Sequence, residues 1–383
     1  MQSGRAYFDA GLELIRVVYD YPWMIYGATG TSGELIARRA VAQGFRPILA
    51  GRNAKAVQKI AEELNLSWRT FEIGDWQRFR QEISKMNLLV NAAGPLAQTS
   101  VLVAESCLAA HTHYFDLTNQ IPSLVATYTL DAEAKEKNLT LLPGLALSPA
   151  VSNCLVEHLH MLLPDADTVD IVLEPFTKRH IPGANLTIVE NLAQGGFRRS
   201  GGALKRCRSG SRLMEIALPR GKRSLLPSAL GDLEAVYRGT KLPNIATYIA
   251  SDIPPVLSRF QRKRTKPGTR TLPSPARVAH QDNSSRYDHA DDNRGDKEQS
   301  LVWARMSKTR QIFIEGWIEF GEAHEFTAAV VMAGVSRLIG KKQLAAGALT
   351  PATALGSEFI LDLPNVKRTV QPIQRVGGVT ESD

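Results

Sequence analysis

Three observations predict an α/β fold for this chain. The apolar run Trp23–Tyr26 leads straight into Gly27, Gly30 and Gly33, and an amphipathic helix pattern follows over Glu34–Gln43, closed by Gly44. From there to about Leu163, strand-like and helix-like segments alternate. Beyond Leu163 the alternation stops, and strand-like segments follow with irregular connections. Strand, glycine turn and helix in that order open a Rossmann-type parallel sheet. Sustained alternation implies that the sheet is covered on both faces. Its loss implies a second, α+β domain.

The elements follow in order. Pro47–Ala50 reads as the second strand, and Asn53 stands before a helix over Ala54–Leu64. Trp68–Glu72 is a third strand, with Asp75 capping the next helix. Leu88–Asn91 is the fourth strand, running into the loop Ala92-Ala93-Gly94-Pro95 and a helix over Val101–Ala110. His113–Asp116 is the fifth, Leu124–Asn138 is helical, and Thr140–Pro143 is the sixth. Ser152, Asn153 and Cys154 begin the following helix. In the second domain, Thr168–Leu173, Leu213–Leu218, Thr247–Ala250 and Ile312–Phe320 read as strands, and Phe326–Ile339 has helical periodicity. The resulting partition is an N-terminal extension over 1–20, a Rossmann domain over 21–150, an α+β domain over 151–345 and a C-terminal segment over 346–383. Pro254–Ser300 is polar and proline-containing, basic over Arg259–Arg270 and mostly acidic over Asp288–Glu298, which reads as a mobile segment.

Composition sets bounds. The chain has 383 residues, 44% hydrophobic and 22% charged, which is ordinary for a globular protein with two domains. Three cysteines, Cys107, Cys154 and Cys207, provide neither a disulfide framework nor paired metal-ligand spacing. The first twenty residues carry Asp9 and Glu13 and no long apolar run, so no secretory signal is read there, and no run is long enough to span a bilayer. The expected location is the reducing cytoplasm. The net charge is +8, concentrated in two clusters, Arg198–Arg212 and Arg259–Arg270. Phe260 is the only aromatic interleaved in either, and neither lies on a nucleic-acid-binding motif, so both read as solvated loops and nucleic acid is not an expected partner. An anionic substrate, an acyl-carrier partner or a membrane surface is left open.

The glycine loop has the spacing G-x-x-G-x-x-G over Gly27–Gly33. Its backbone amides and the helix N-terminus suit a pyrophosphate, so Gly27, Thr29, Gly30, Thr31, Ser32 and Gly33 are the expected phosphate-binding residues. Ser32 suits either a helix cap or a donor to phosphate. The turn after the second strand reads Gly51-Arg52-Asn53, without the acid that NAD sites place there for the ribose 2′-OH. Arg52 instead offers a planar fork to the 2′-phosphate of NADP. A charge-assisted hydrogen bond contributes about 1.5–3 kcal/mol, or one to two orders of magnitude in cofactor preference. Asn53 is placed either beside that phosphate or as the cap of its helix.

The segments PWMIYGATGTSGELIARRAV, RPILAGRN, NAAGP, HTHYFDLTNQ, LLPGLALSPAVSNCLVEHL and GDLEAVYRGTKLPNIATY occur in one order. Together they resemble the saccharopine dehydrogenase-like oxidoreductases over most of Trp23 to about Val366, and are similar also to the related trans-acting enoyl reductases. The resemblance implies an NADP(H)-binding Rossmann domain and a second domain whose sheet helps form a substrate cleft and a homodimer contact. It implies that Asn91, Ala92, Ala93 and Gly94 line the ribose and nicotinamide side. Where the family often reads D-L-x-G-E, this chain has Asp116-Leu117-Thr118-Asn119-Gln120, and S-T-G-I-P-N-I appears as Gly239-Thr240-Lys241-Leu242-Pro243-Asn244-Ile245. Both segments, Thr118 included, lie where substrate is expected.

Hydride transfer needs an oriented acceptor and a route for a proton. Asp116 ends the fifth strand and is expected to open onto the cleft, there to orient substrate or take a proton, or else to cap the next loop. Tyr114 is the candidate proton donor beside it. His111 and His113 read as surface or core histidines, and no metal site is expected. Pro143 and Gly144 end the sixth strand and bring backbone close to the nicotinamide. Ser152 and Asn153 suit a substrate carboxylate at a helix N-terminus, while Cys154 reads as a buried helix residue. Tyr237 and Lys241 match the Y-x-x-x-K pair of short-chain dehydrogenases, but Gly239 and Pro243 argue against the helix that pair requires. Tyr237 and Asp232 are expected to line the cleft from the second domain. The sequence therefore predicts an NADP-dependent oxidoreductase acting on a C=N, C=O or activated C=C bond of a small molecule. The alternatives are a non-catalytic NADP sensor or scaffold, or an enoyl reductase acting on a carrier-bound acyl chain.

Overall fold

The computed structural model describes residues 21–177, 196–207, 214–251, 299–309, 311–340 and 344–375. The N-terminal extension, residues 254–298 of the polar segment and the basic cluster over Arg259–Arg270 lie outside the described residues, as do Arg208 and Arg212.

Seven parallel strands form the first sheet: β1 (Trp23–Tyr26), β2 (Ile48–Gly51), β3 (Trp68–Thr70), β4 (Leu88–Asn91), β5 (His113–Asp116), β6 (Thr140–Leu142) and β15 (Gly347–Ala348), in the order β15-β6-β5-β4-β1-β2-β3. The order reverses between β1 and β4, so the carboxyl ends of those strands frame the crevice where such sheets bind ligands. Apolar runs of four residues in β1 and three in β4, where Asn91 follows, explain these strands, both buried along their whole length. Helix α1 (Thr31–Ala42) opens one residue after Gly30, and α2 (Ala54–Leu64) is capped by Asn53, whose side-chain oxygen accepts from the Ala56 N–H at 3.1 Å. Asp75 caps α3 (Trp76–Ile83) in the same way. Helix α4 spans Leu96–Ala109 and therefore starts five residues before the expected Val101. The single helix expected over Leu124–Asn138 is two, α5 (Ile121–Thr129) and α6 (Asp131–Glu136), which meet at Leu130.

Helix α7 (Leu147–Leu162) crosses the expected boundary at residue 150 and lies between the two sheets. Among the described residues the second sheet has ten strands. Its main path runs β10 (Met214–Leu218), β11 (Gly221–Pro227), β12 (Asn244–Ser251), β7 (Thr168–Glu174), β13 (Ser300–Lys308), β14 (Ile312–Phe320), β16 (Lys367–Val370). The hairpin β8 (Gly196–Ser200) and β9 (Ala203–Cys207) joins along β12, and β17 (Gln374–Arg375) along β14. Pairing is antiparallel except between β12 and β7. Helix α8 (Asp232–Thr240) packs on α7, and α9 (Ala323–Ile339) packs on α1. A short helix, α10 (Pro351–Leu355), follows β15.

One apolar core spans both sheets. It joins Ile25, Val90, Phe115 and Leu142 of the first to Ile171, Val302, Met306 and Ile318 of the second, through Val151, Leu155 and Leu159 of α7 and Val331 and Val335 of α9. A second core on the opposite face of the first sheet holds Tyr26, Phe79, Leu89, Cys107 and Tyr114. Among the described residues, no helix is long and apolar enough to cross a membrane.

Candidate functional site

The three glycines of the first loop differ in why they are glycine. Gly27 has φ +87°, and a Cβ there would stand 2.6 Å from the Ala93 nitrogen and 2.7 Å from the Ala92 carbonyl carbon. At Gly33 a Cβ would strike the Gly27 carbonyl oxygen and lie 2.9 Å from Ala28 Cα. Both close contacts within the protein. Gly30 has neither reason. Its φ of −79° suits any residue, a Cβ would meet nothing nearer than 3.4 Å, and the residue is exposed at the N-cap of α1. No side chain caps this helix, so Ser32, half-buried within the first turn, is not its cap. The first N–H groups of a helix have no partner within it, and here they lie beside the exposed Thr29, Gly30 and Thr31. A bare backbone with open donors is what a pyrophosphate requires.

Arg52 is exposed at the carboxyl end of β2 and makes no ion pair among the described residues. Its charge reaches Tyr26, the residue before Gly27, whose hydroxyl donates to the Phe71 carbonyl at 2.9 Å. Burial pushes the Tyr26 hydroxyl up to about 12, against the opposing pull of Arg52. Asn53 spends its side-chain oxygen on the helix cap, which leaves its amide nitrogen as the group open to a cofactor.

At the carboxyl ends of β4, β5 and β6 the picture changes. Asn91, Tyr114 and Asp116 are each fully buried. Tyr114 Oη donates to Asp116 Oδ2 at 2.7 Å, and Asn91 Nδ2 lies 3.4 Å from Tyr114 Oη. Asp116 Oδ1 accepts from the backbone N–H of Thr118 and of Gly144, both at 2.9 Å. The expectation that Asp116 opens onto the cleft is therefore corrected. A side chain on the same sheet face two residues earlier, together with the loop that returns over it, seals it from solvent. Burial raises the Asp116 carboxyl above its ordinary range and the Tyr114 hydroxyl well above its own. Ala92 and Ala93 are half-buried and Gly94 is exposed, with open space around its Cα.

The remaining candidates are also enclosed. Pro143 and Gly144 are buried, and the Gly144 N–H is taken by Asp116. Ser152, Asn153 and Cys154 lie inside α7, not at its start, which removes the helix N-terminus proposed to hold a carboxylate. Ser152 donates to the Ser148 carbonyl, Asn153 bonds Glu157 and the Ala352 N–H, and burial pushes the Cys154 thiol well up. Thr118 is buried, its hydroxyl on Gln120 Oε1 at 2.9 Å. Asp232 is buried and accepts from Ser148 Oγ at 2.7 Å. Tyr237 lies on a helix after all, because Gly239 is tolerated where α8 crosses α7, against Glu157 and Asn153. Its ring is covered by the Arg199 guanidinium at 3.7 Å, and Lys241 lies 5.4 Å from its centroid. Arg199 is itself buried and ion-paired with Glu234.

Sequence reasoning missed the groups that tie the two halves of the site. Thr99 Oγ1 donates to the Ala93 carbonyl at 3.0 Å. Asn119 accepts the Gly231 N–H on both its carbonyl, at 3.0 Å, and its side-chain oxygen, at 2.7 Å. Gly231 is glycine because a Cβ would lie 2.5 Å from Leu124 Cδ1 and 2.9 Å from Asn119 Oδ1. A glycine directly before the α8 pattern was the available signal. Its partner, 112 residues earlier in sequence, was not readable.

Comparison with known proteins bears on this geometry. Residues 23–142, about a third of the chain, match the family described as the saccharopine dehydrogenase NADP binding domain. The apo structure of saccharopine dehydrogenase (L-Glu forming) from Saccharomyces cerevisiae superposes with a TM-score of 0.63 at 10% identity, covering 92% of this chain and 100% of that one. GenD2 from gentamicin A biosynthesis, in complex with NAD, gives 0.43 at 10% identity, covering 92% and 96%. An oxidoreductase domain protein from Kribbella flavida gives 0.41 at 13%, covering 89% and 94%. No curated protein sequence matches the chain significantly. The first domain is thus an NADP-binding domain of an oxidoreductase family. The likeness to the solved saccharopine dehydrogenase shows that the fold is shared over both halves of the chain.

Proposed function

We propose that this protein is an NADP(H)-dependent oxidoreductase that transfers hydride to or from a C=N, C=O or activated C=C bond of a small molecule. The observation that carries the reading is Gly30. It is an exposed glycine at a helix N-cap whose own structure would accept a side chain, beside a loop whose other two glycines are fixed by internal contacts. A ligand that must approach the backbone accounts for it. Gly30, Thr31, Ser32 and Gly33 would hold the pyrophosphate and Arg52 the 2′-phosphate. Ala92, Ala93 and Gly94 would line the ribose and nicotinamide side. Thr29 and Asn53 border the same loop. When bound, the nicotinamide supplies the hydride. The protein's part is to fix its register along the strand ends and to exclude water. Asp116, Tyr114, Pro143, Gly144 and Thr118 support this wall from behind. Asp232, Ser152, Asn153 and Tyr237 hold the second domain against it.

The test is a titration of the purified chain with NADPH and NADH, followed by a screen of imines, ketones and enoyl thioesters for loss of NADPH absorbance. We expect micromolar NADPH binding, weaker NADH binding and turnover with at least one class. Binding without turnover across the panel would favour an NADP sensor. Turnover that needs an acyl-carrier protein and fades with salt would favour an enoyl reductase acting in trans. Absence of binding at millimolar NADP would remove the proposal.

A further inference from the structure

We propose that Asn91, Tyr114 and Asp116 form a buried positioning relay that holds the cofactor-side loop Ala92–Ala93 in register with the substrate-side loop Leu117–Gln120. NADP affinity then depends on a hydroxyl that never meets the cofactor. This deepens the NADP-binding reading and rests on it.

The sheet brings the three residues together. Asn91 and Asp116 are register partners on β4 and β5, and Tyr114 lies two residues before Asp116 on the same face. The polar groups then run head to tail. Asn91 Nδ2 donates to Tyr114 Oη at 3.4 Å, and Tyr114 Oη donates to Asp116 Oδ2 at 2.7 Å. A chain of this polarity strengthens each of its members in a low-dielectric interior. At one end, Asn91 Oδ1 accepts the Ala93 N–H at 3.1 Å, and Thr99 Oγ1 holds the Ala93 carbonyl at 3.0 Å, so both backbone groups of Ala93 are fixed by side chains. Ala92 and Ala93 in turn are the atoms against which Gly27 is packed with no room for a Cβ. Their position therefore sets where the phosphate loop rests.

At the other end, Asp116 Oδ1 fixes the N–H groups of Thr118 and Gly144, and the Asp116 carbonyl accepts the Leu145 N–H at 2.8 Å. Asn119, one residue on from Thr118, is the residue that receives Gly231 of the second domain. The relay thus runs from the phosphate loop, through three adjacent strand ends, to the contact between the domains. Asn91 has one other route for its Nδ2, Thr99 Oγ1 at 3.5 Å, so loss of the Tyr114 hydroxyl leaves Asn91 weakly held and Asp116 Oδ2 without its donor.

The experiment compares NADP affinity of the full chain with that of Tyr114→Phe and Thr112→Val, each with a melting curve. Thr112 is equally buried on the same polypeptide run, but its hydroxyl bonds Ile83 and Met86 at the opposite end of β5. Both variants should lose stability. Tyr114→Phe alone should weaken NADP, by about tenfold, or ~1.4 kcal/mol. Equal affinity of the wild type and a folded Tyr114→Phe variant, within twofold, overturns the relay, as does an equal weakening by Thr112→Val. If Tyr114→Phe does not fold, Thr99→Val tests the same loop from the half-buried side, and unchanged affinity there overturns it equally. A wild type that ignores NADP defeats the cofactor reading itself, a result distinct from either of these.

Discussion

The proposed cofactor preference and the response of the fold to acid both rest on single side chains. Arg52 is exposed, and if it holds the 2′-phosphate as proposed, Arg52→Asp should weaken NADPH by one to two orders of magnitude more than NADH. Fluorescence titration with both cofactors checks this, and an unchanged ratio would strip Arg52 of its role. Gly30→Ala separates ligand from fold at the next position. Because a Cβ there has room and an ordinary φ, the melting temperature should hold while NADP affinity falls. His113 reports on pH. Its Nδ1 accepts the Thr140 N–H at 2.9 Å, and burial lowers its pKa to about 4. The unfolded chain titrates near 6.5. The stability this neutral ring contributes is therefore complete above pH 6.5 and is lost as pH falls through 4, with about 2 kcal/mol gone by pH 5. Denaturation of wild type and His113→Gln from pH 7 to 4.5 should show a shallower acid loss in the variant, and parallel curves would reject the assignment.

At the level of elements, the sequence was readable wherever local pattern and environment agree. Strands Trp23–Tyr26, Leu88–Asn91 and His113–Asp116 and helix Ala54–Leu64 fall on the residues expected, because each is an apolar or amphipathic run between unambiguous stops. Helix α7 was read as starting too late. Pro149 stands in its first turn, where the missing N–H costs nothing, and so marked a start earlier than Ser152. Gly239 and Pro243 argue against helix α8 in the sequence, but the Gly239 penalty is only about 1 kcal/mol, which packing against α7 overrides, and Pro243 lies beyond the last helical residue, Thr240. The candidate site divides in the same way. The glycine loop is a local motif, and its setting between a strand and a helix was legible. The burial of Asp116, Tyr114 and Asp232 depends on loops and a second domain that fold back over them, and no spacing in the chain encodes that. One capping contact can be tested directly. Asn53→Ala removes the acceptor for the Ala56 N–H and should cost about 1 kcal/mol in urea denaturation. A loss below a few tenths would mean that α2 is held by tertiary packing alone.

For the molecule as a whole, the partition expected from the sequence gives way to shared structure. The first sheet takes its seventh strand from Gly347–Ala348, beyond eight of the second sheet's ten described strands in sequence, and the Arg238 guanidinium of α8 caps the Ala348 carbonyl at 2.8 Å. Helix α7 belongs to both halves, and the main core runs through it without a break. Two layers that share one core cannot lose it separately, so the described residues should unfold as one cooperative unit. Met306 offers the means to ask. It is fully buried on the second sheet, on the face that meets α7, and Met306→Ala should cost about 2–5 kcal/mol. If the core is continuous, the loss is felt everywhere: hydrogen exchange in β4 of the first sheet should accelerate in step with exchange in β13 of the second. Faster exchange confined to the second sheet, or two resolved steps on heating, would mean that the halves are separately stable. The Asn119–Gly231 and Ser148–Asp232 bonds would then be contacts that domain motion can break, not fixed parts of the NADP wall.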